Sequence, residues 1–161
     1  MIRRTGPRLG DVVLFRFARE TSLPAAEAWH RLTTWERHGE AVPLTRVTVR
    51  TPPPTRVGTV FVARSALGPV GFDDPMEVVG WHPPEAASPG RCRLEKRGSF
   101  VTGWAEFEVR PSSVGGATVL WQEELTVRRL PRLFDRVLAF AARRMFGRVV
   151  DRLTATAPPS T

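Results

Sequence analysis

The chain has no tyrosine, a single cysteine, a single lysine and three histidines. No run of apolar residues is long enough to span a bilayer. Each shortage excludes something. Tyrosine hydroxyls are frequent polar handles in ligand pockets. A pocket here is therefore either plainly apolar or takes its polar contacts from Glu123, arginines and backbone. Cys92 cannot form an internal disulfide and supports no thiolate metal cluster; on an alternating strand it reads as a small core residue. His30, His38 and His82 are far apart and show no ligand spacing, so no zinc site, and no other metal or cofactor, is expected. Lys96 is the lone lysine, so the net charge of +8 is carried by arginine. A bias of that kind can follow codon usage, and apart from Arg128-Arg129-Arg132 and Arg143-Arg144 the arginines are scattered. The reading is a solvated basic surface. A nucleic-acid module is disfavoured, and peripheral contact with anionic membrane stays open. Met1 to Arg8 is basic, but no apolar stretch with a cleavage site follows it. A cytoplasmic protein is the expectation.

The sequence does hold the material of one folded domain. Its 161 residues are 42% hydrophobic and 25% charged, enough to bury a core. The expected division is a basic arm over 1–10, a domain over 11–156 and a frayed tail over 157–161. Asp11 to Ser22 reads as a strand. Ser22 is placed to cap a helix with Pro24 in its first turn, whose inward face is Ala25, Ala28, Trp29 and Leu32. A short helix or turn follows over Trp35 to Glu40. Period-two segments then run through Thr45–Thr51, Thr59–Leu67, Met76–Trp81, Arg91–Arg97, Phe100–Arg110 and Ala117–Val127. Gly68 to Pro75 reads as a glycine- and proline-rich connection. From Pro131 to about Ala155 the period changes to near 3.6, with a stripe of Phe134, Leu138, Ala141, Met145, Val149 and Leu153, widened by Ala142 and Phe146. The order is strand, helix pair, six strands, long helix. That is an α+β chain with an antiparallel sheet and one amphipathic helix that must bury its stripe on it.

In "ATVLWQEELTV" (Ala117–Val127) alternate residues give Val119, Trp121, Glu123, Leu125 and Val127 on one face. A carboxylate on an apolar face costs free energy unless paired. Glu123 is the leading polar candidate, to hold a ligand group, to form an ion pair or to move a proton; a bulge would put Glu124 inward instead. By the same alternation Lys96 shares an inward face with Cys92 and Leu94. It is placed to meet Glu123, to hold an anionic head group, or to snorkel to water.

The element order resembles the START-like, or Bet v 1-like, superfamily (polyketide cyclase/dehydrase and lipid transport proteins). So do "SLPAAEAWHRLTTWERHGEAVPLTRV", "GTVFVARSALG", "DDPMEVVGWHPP" and "GWAEFEVRP". The resemblance covers about Asp11 to Leu153. It implies a helix-grip fold, a seven-stranded curved antiparallel sheet wrapped around the C-terminal helix, with two short helices after strand 1 and an apolar cavity between sheet and helix. It also implies a cavity mouth ringed by His38–Leu44, Gly68–Pro75, Arg97–Ser99 and Leu130–Phe134. No Rieske or other metal ligands are present, so the oxygenase branch does not fit.

Two further candidates sit on those mouth segments. His38 can serve as a base near neutral pH, against the plainer reading of a loop histidine. Asp73 and Asp74 are an adjacent acidic pair; Asp74 before Pro75 reads as a turn element, which leaves Asp73 as the candidate. For the cavity lining, the candidates besides Glu123 and Lys96 are the aromatics Trp29, Phe61, Trp81, Trp104, Trp121 and Phe134, with Met76, Leu138 and Met145. The leading expectation is a binding protein for a small hydrophobic molecule, a lipid or an aromatic polyketide-like compound. A cyclase or dehydratase using Glu123, Asp73 or His38 is the alternative. Monomer and homodimer are both open.

Overall fold

The computed structural model describes residues 12–113, 115–128 and 135–156. The proposed arm and tail, and the stretch holding Phe134, lie outside them.

Seven strands form one sheet in the order β1-β7-β6-β5-β4-β3-β2, antiparallel throughout. They are β1 (Val13–Thr21), β2 (Thr45–Val49), β3 (Val60–Leu67), β4 (Val70–His82), β5 (Gly90–Arg97), β6 (Val101–Pro111) and β7 (Ala117–Val127). From β2 to β7 each strand pairs with its sequence neighbour, as short turns require. The two helices α1 (Ala25–Thr33) and α2 (Glu36–Ala41) carry the chain from one sheet edge to the other, so β1 and β2 end at opposite edges. α3 (Asp135–Leu153) follows the sheet.

The expected face of α1 is the buried one: Ala25, Ala28, Trp29 and Leu32. Its start differs from the expectation. Pro24 is the N-cap, without a side-chain cap bond, and Ser22 does not cap. The hydroxyl that orders this turn is Thr21's, which accepts a bond from the Leu23 amide. A second correction concerns Gly68–Pro75. The turn is confined to Gly68 and Pro69, because β4 already starts at Val70. Gly68 takes the left-handed φ of 59° that lets β3 and β4 reverse within two residues.

α3 does not pack directly on the middle of the sheet. Its main contacts are with β1, α1 and α2. Arg19 of β1 pairs with Asp151 at 2.9 Å, and Phe15 stacks with Phe146 at 6.0 Å. The C-terminal half of α3 buries Val149, Val150 and Leu153. The other half spans an open trough. Two small residues of β6 deepen that trough: Ala105, paired with Leu94 and Glu123, and Gly103, paired with Lys96 and Leu125.

Gly103 has a backbone reason as well. Its φ is 134°, and a Cβ there would lie 2.0 Å from the Glu124 carbonyl oxygen. Gly103→Ala is therefore expected to destabilise the fold by about 2–3 kcal/mol, the scale of one strained backbone residue. Urea denaturation checks this, and an alanine variant as stable as the parent would contradict it.

Candidate functional site

The trough is a cavity of about 440 Å³ between the concave sheet face and the N-terminal half of α3. Leu138, Ala141, Ala142, Met145 and Phe146 roof it. Val47 of β2, Phe61 and Ala63 of β3, Met76 of β4, Leu94 of β5 and Leu125 of β7 are on the sheet side. Trp35 stacks on Phe61 with ring centroids 4.4 Å apart and closes the α2 end. Trp121 stacks at once on Phe17, Phe107 and Phe146.

One charged cluster interrupts this apolar lining. Lys96 Nζ donates to Asp74 Oδ2 at 2.9 Å. It also lies 3.3 Å from Glu123 Oε1, within charge attraction but without hydrogen-bond geometry, since that oxygen has no hydrogen-bond partner. Trp121 Nε1 donates to Glu123 Oε2 at 3.1 Å. Asp74 Oδ1 is buried with no donor among the described residues. The sheet's diagonals explain the meeting. Lys96 pairs with Met76, so Asp74, two residues back on the same face, lies within reach of a long side chain. Glu123 lies on the other side of β6, where Gly103 has no side chain and Ala105 only a methyl group.

Burial dominates the titration of Glu123 and pushes its carboxyl above the ordinary glutamate value, against the pull of Lys96 and the Trp121 bond. Burial alone would depress the Lys96 ammonium. The Glu123 and Asp74 carboxylates outweigh it and hold the pKa above the usual lysine value. Lys96 is thus a committed cation at neutral pH.

His38 also lines the cavity. Burial lowers its pKa, against the bond between Nε2 and the Leu32 carbonyl oxygen at 2.7 Å. The ring is then neutral with Nε2–H as the donor, which leaves Nδ1 as its acceptor. Thr45 and Ser65, the hydroxyls of the lining, bond to each other at 2.8 Å.

Of the residues singled out in the sequence, Phe61, Met76, Lys96, Trp121, Glu123, Leu138, Met145 and His38 come together on the cavity. Four others do not. Trp29 and Trp81 pack on each other at 5.1 Å, and Trp29 on Phe107, between α1 and the sheet. Trp104 is on the opposite sheet face under the Arg93 guanidinium, 4.2 Å from its ring. Asp73 points outward to Arg64 at 2.9 Å, and its neighbour Asp74 takes the inward place. The reason is that this segment is strand, so the two aspartates face opposite ways. Counting back by twos from Met76 gives Asp74 and Phe72, the signal that a turn reading concealed. Trp35, Phe72 and Phe100 are further lining residues that the candidate set omitted. Among the described residues no cluster of His, Cys, Asp or Glu is placed to hold a metal ion, and no helix is long and apolar enough to cross a membrane.

No family model and no curated protein sequence matches the chain. Solved structures do. A Chromobacterium violaceum protein superposes with a TM-score of 0.66 at 14% identity, covering 92% of this chain and 99% of its own. A norcoclaurine synthase point mutant from Thalictrum flavum, in complex with a transition-state analogue, gives 0.61 at 11% identity, covering 90% and 93%. The ZhuI aromatase/cyclase of a Streptomyces species gives 0.55 at 15% identity, covering 89% and 87%. At such identities the agreement speaks for architecture and not for activity. Taken with the seven-stranded meander, the helix pair after β1 and the terminal helix over the trough, it shows that the chain has the helix-grip fold of the START-like/Bet v 1-like superfamily.

Proposed function

We propose that the chain binds an uncharged, largely hydrophobic small molecule in the cavity beneath α3. One observation carries the reading. The cavity is apolar, of the size of a small-molecule site, and its charged groups are committed to one another. Burying about 200 Å² of apolar ligand surface contributes about 5 kcal/mol, from which association and ordering costs are subtracted. Lys96 offers no free cation for a carboxylate or phosphate head, because two carboxylates already hold it. A bound anion would bring a further negative charge to a cluster of formal charge −1 in a poorly solvated place. The lipid or aromatic compound foreseen from the sequence is thus narrowed to neutral species.

A matched ligand set tests this by thermal shift and calorimetry: 2-methylnaphthalene, 2-naphthol and 2-naphthoate. The neutral pair should bind at least about tenfold more tightly than the carboxylate, a difference of about 1.4 kcal/mol. Tighter binding of the carboxylate would overturn the neutral-ligand reading, and failure of any hydrophobic compound to bind would overturn the cavity reading itself. Salt should barely alter binding of the neutral members, unlike contact with a polyanion.

One observation favours a second reading. Glu123 is buried at the cavity with a raised pKa, the environment of a general acid. Glu123→Gln separates the two. It should leave a carrier's affinity within about threefold, but would remove about a hundredfold or more of turnover from an enzyme that protonates its substrate there.

A further inference from the structure

Several of the large apolar side chains that the fold leaves in water gather at one end of the molecule, whereas Val57 is exposed in the β2–β3 connection at the other. Leu67 and Val70 face each other across the β3–β4 turn and are 72% and 74% exposed. Leu44 adjoins them, its carbonyl accepting a bond from the Ala66 amide. Phe72, two residues inside Val70, packs on Phe100 of the β5–β6 turn at 5.3 Å. The Phe100 carbonyl in turn accepts from the Arg128 amide at the end of β7. Val137 and Phe140, 63% and 68% exposed, stand on the first turns of α3, off the face that roofs the cavity. Phe72, Phe100 and Met145 are lining residues that remain more than a third exposed, which locates the cavity's opening at the same end. Leu44, Leu67, Val70, Phe72 and Phe100 therefore border this mouth.

The charges around this mouth are mostly of one sign. Arg46, Arg128 and Arg136 are exposed there and make no ion pair among the described residues. The nearby carboxylates Asp73, Glu77 and Glu95 are each held by Arg64 or Arg97. Among the described residues Glu40 and Glu124, the latter in the same cross-strand row as Glu77 and Glu95, make no ion pair, so the unpaired arginines still outnumber the unpaired acids. We infer that the mouth docks on an anionic membrane surface. The apolar tips enter the headgroup–acyl boundary and the arginines meet lipid phosphates. The bilayer is favoured over a second copy of this chain by charge, since two such basic rims repel each other. It also suits the opening, because a bilayer both seals the mouth and dissolves an uncharged apolar guest.

Sedimentation with vesicles of phosphatidylcholine, with and without phosphatidylglycerol, tests the inference without any cavity ligand. The chain should partition onto the anionic vesicles more strongly, with added salt weakening but not abolishing the binding. Leu67→Ser combined with Val70→Ser should cut partitioning by about tenfold or more, through lost apolar insertion. Both side chains are exposed and neither lines the cavity, so the melting temperature should stay that of the parent. No binding to either vesicle overturns the inference, as does a double variant that binds like the parent. A concentration-dependent dimer lost in the double variant would assign the rim to self-association instead. Naphthalene binding by the double variant reports on the cavity separately, so failure here and failure of the ligand reading are distinguishable.

Discussion

Lys96→Met is expected to destabilise the fold by about 3–5 kcal/mol at neutral pH, the cost of leaving buried charge without its partner. The substitution keeps an unbranched chain of similar length, so packing changes little. What changes is the counter-charge: Asp74 Oδ2 and Glu123 Oε1 lose the cation 2.9 and 3.3 Å away. Asp74 Oδ1 already lacks a donor, and the variant leaves the whole carboxylate in that condition. The contrasting variant is Glu123→Gln. It keeps the Lys96–Asp74 bond, brings the cluster's formal charge from −1 to zero and should cost no more than about 1 kcal/mol. Urea denaturation of the two variants gives the comparison. Equal losses would mean that the cluster is held by packing and not by charge.

The pH dependence has a definite sign. The native Glu123 pKa is raised above 4.5, so across the interval from 4.5 up to that value the native state binds more protons than the unfolded chain. Stability contributed by this group is present below that interval and lost as pH rises through it. The native Lys96 pKa is raised above 10.5, so its contribution is complete below 10.5 and is lost only in stronger alkali. In Lys96→Met the carboxylates ionise without a cation, and Glu123 moves further up. The destabilisation should therefore shrink as pH falls from 8 towards 4.5, where Glu123 can take a proton. A loss that grows on acidification would reject this account.

That cluster also shows how far the chain could be read from its letters. Glu123 and Lys96 were visible because each breaks a strict period-two apolar face, a property of the strand alone. Their meeting was one of several readings, since alternation fixes a face and not a register. It needed the β5–β6 and β6–β7 registers, which set two small β6 residues between Lys96 and Glu123. Asp74 reads as a turn residue because aspartate before proline often is one. The observed β4 runs through Pro75, and pairing with β3 decided against local propensity. The aromatic residues divide for a similar reason. Trp29, Trp81 and Trp104 lie on strands and helices of the right kind, but whether they meet the cavity, α1 or the outer face depends on where α3 leaves the sheet uncovered. Periodicity carries no information about that distance. The helix-grip order itself was legible, since the change from period two to 3.6 after Val127 needs no tertiary knowledge.

Filling the cavity should give the largest effect on binding. Ala142 is buried on α3 and Ala63 lies on β3, so phenylalanine at either position directs a ring into the same space, one from the roof and one from the floor. Each should lower affinity for a neutral aromatic guest by at least about a hundredfold, about 2.7 kcal/mol. Stability should move by no more than about 1–2 kcal/mol, because the added ring enters open volume instead of a close-packed core, where overpacking costs about 1–3 kcal/mol. Arg143→Phe supplies the control: the same helix and the same ring, at an exposed position off the cavity. If both filled variants bind the guest as the parent does while melting normally, the guest sits elsewhere. If they lose binding and Arg143→Phe does not, the space between α3 and the sheet is the site. The uncovered trough left where α3 leans on β1 would then be a property the sequence maintains for an occupant.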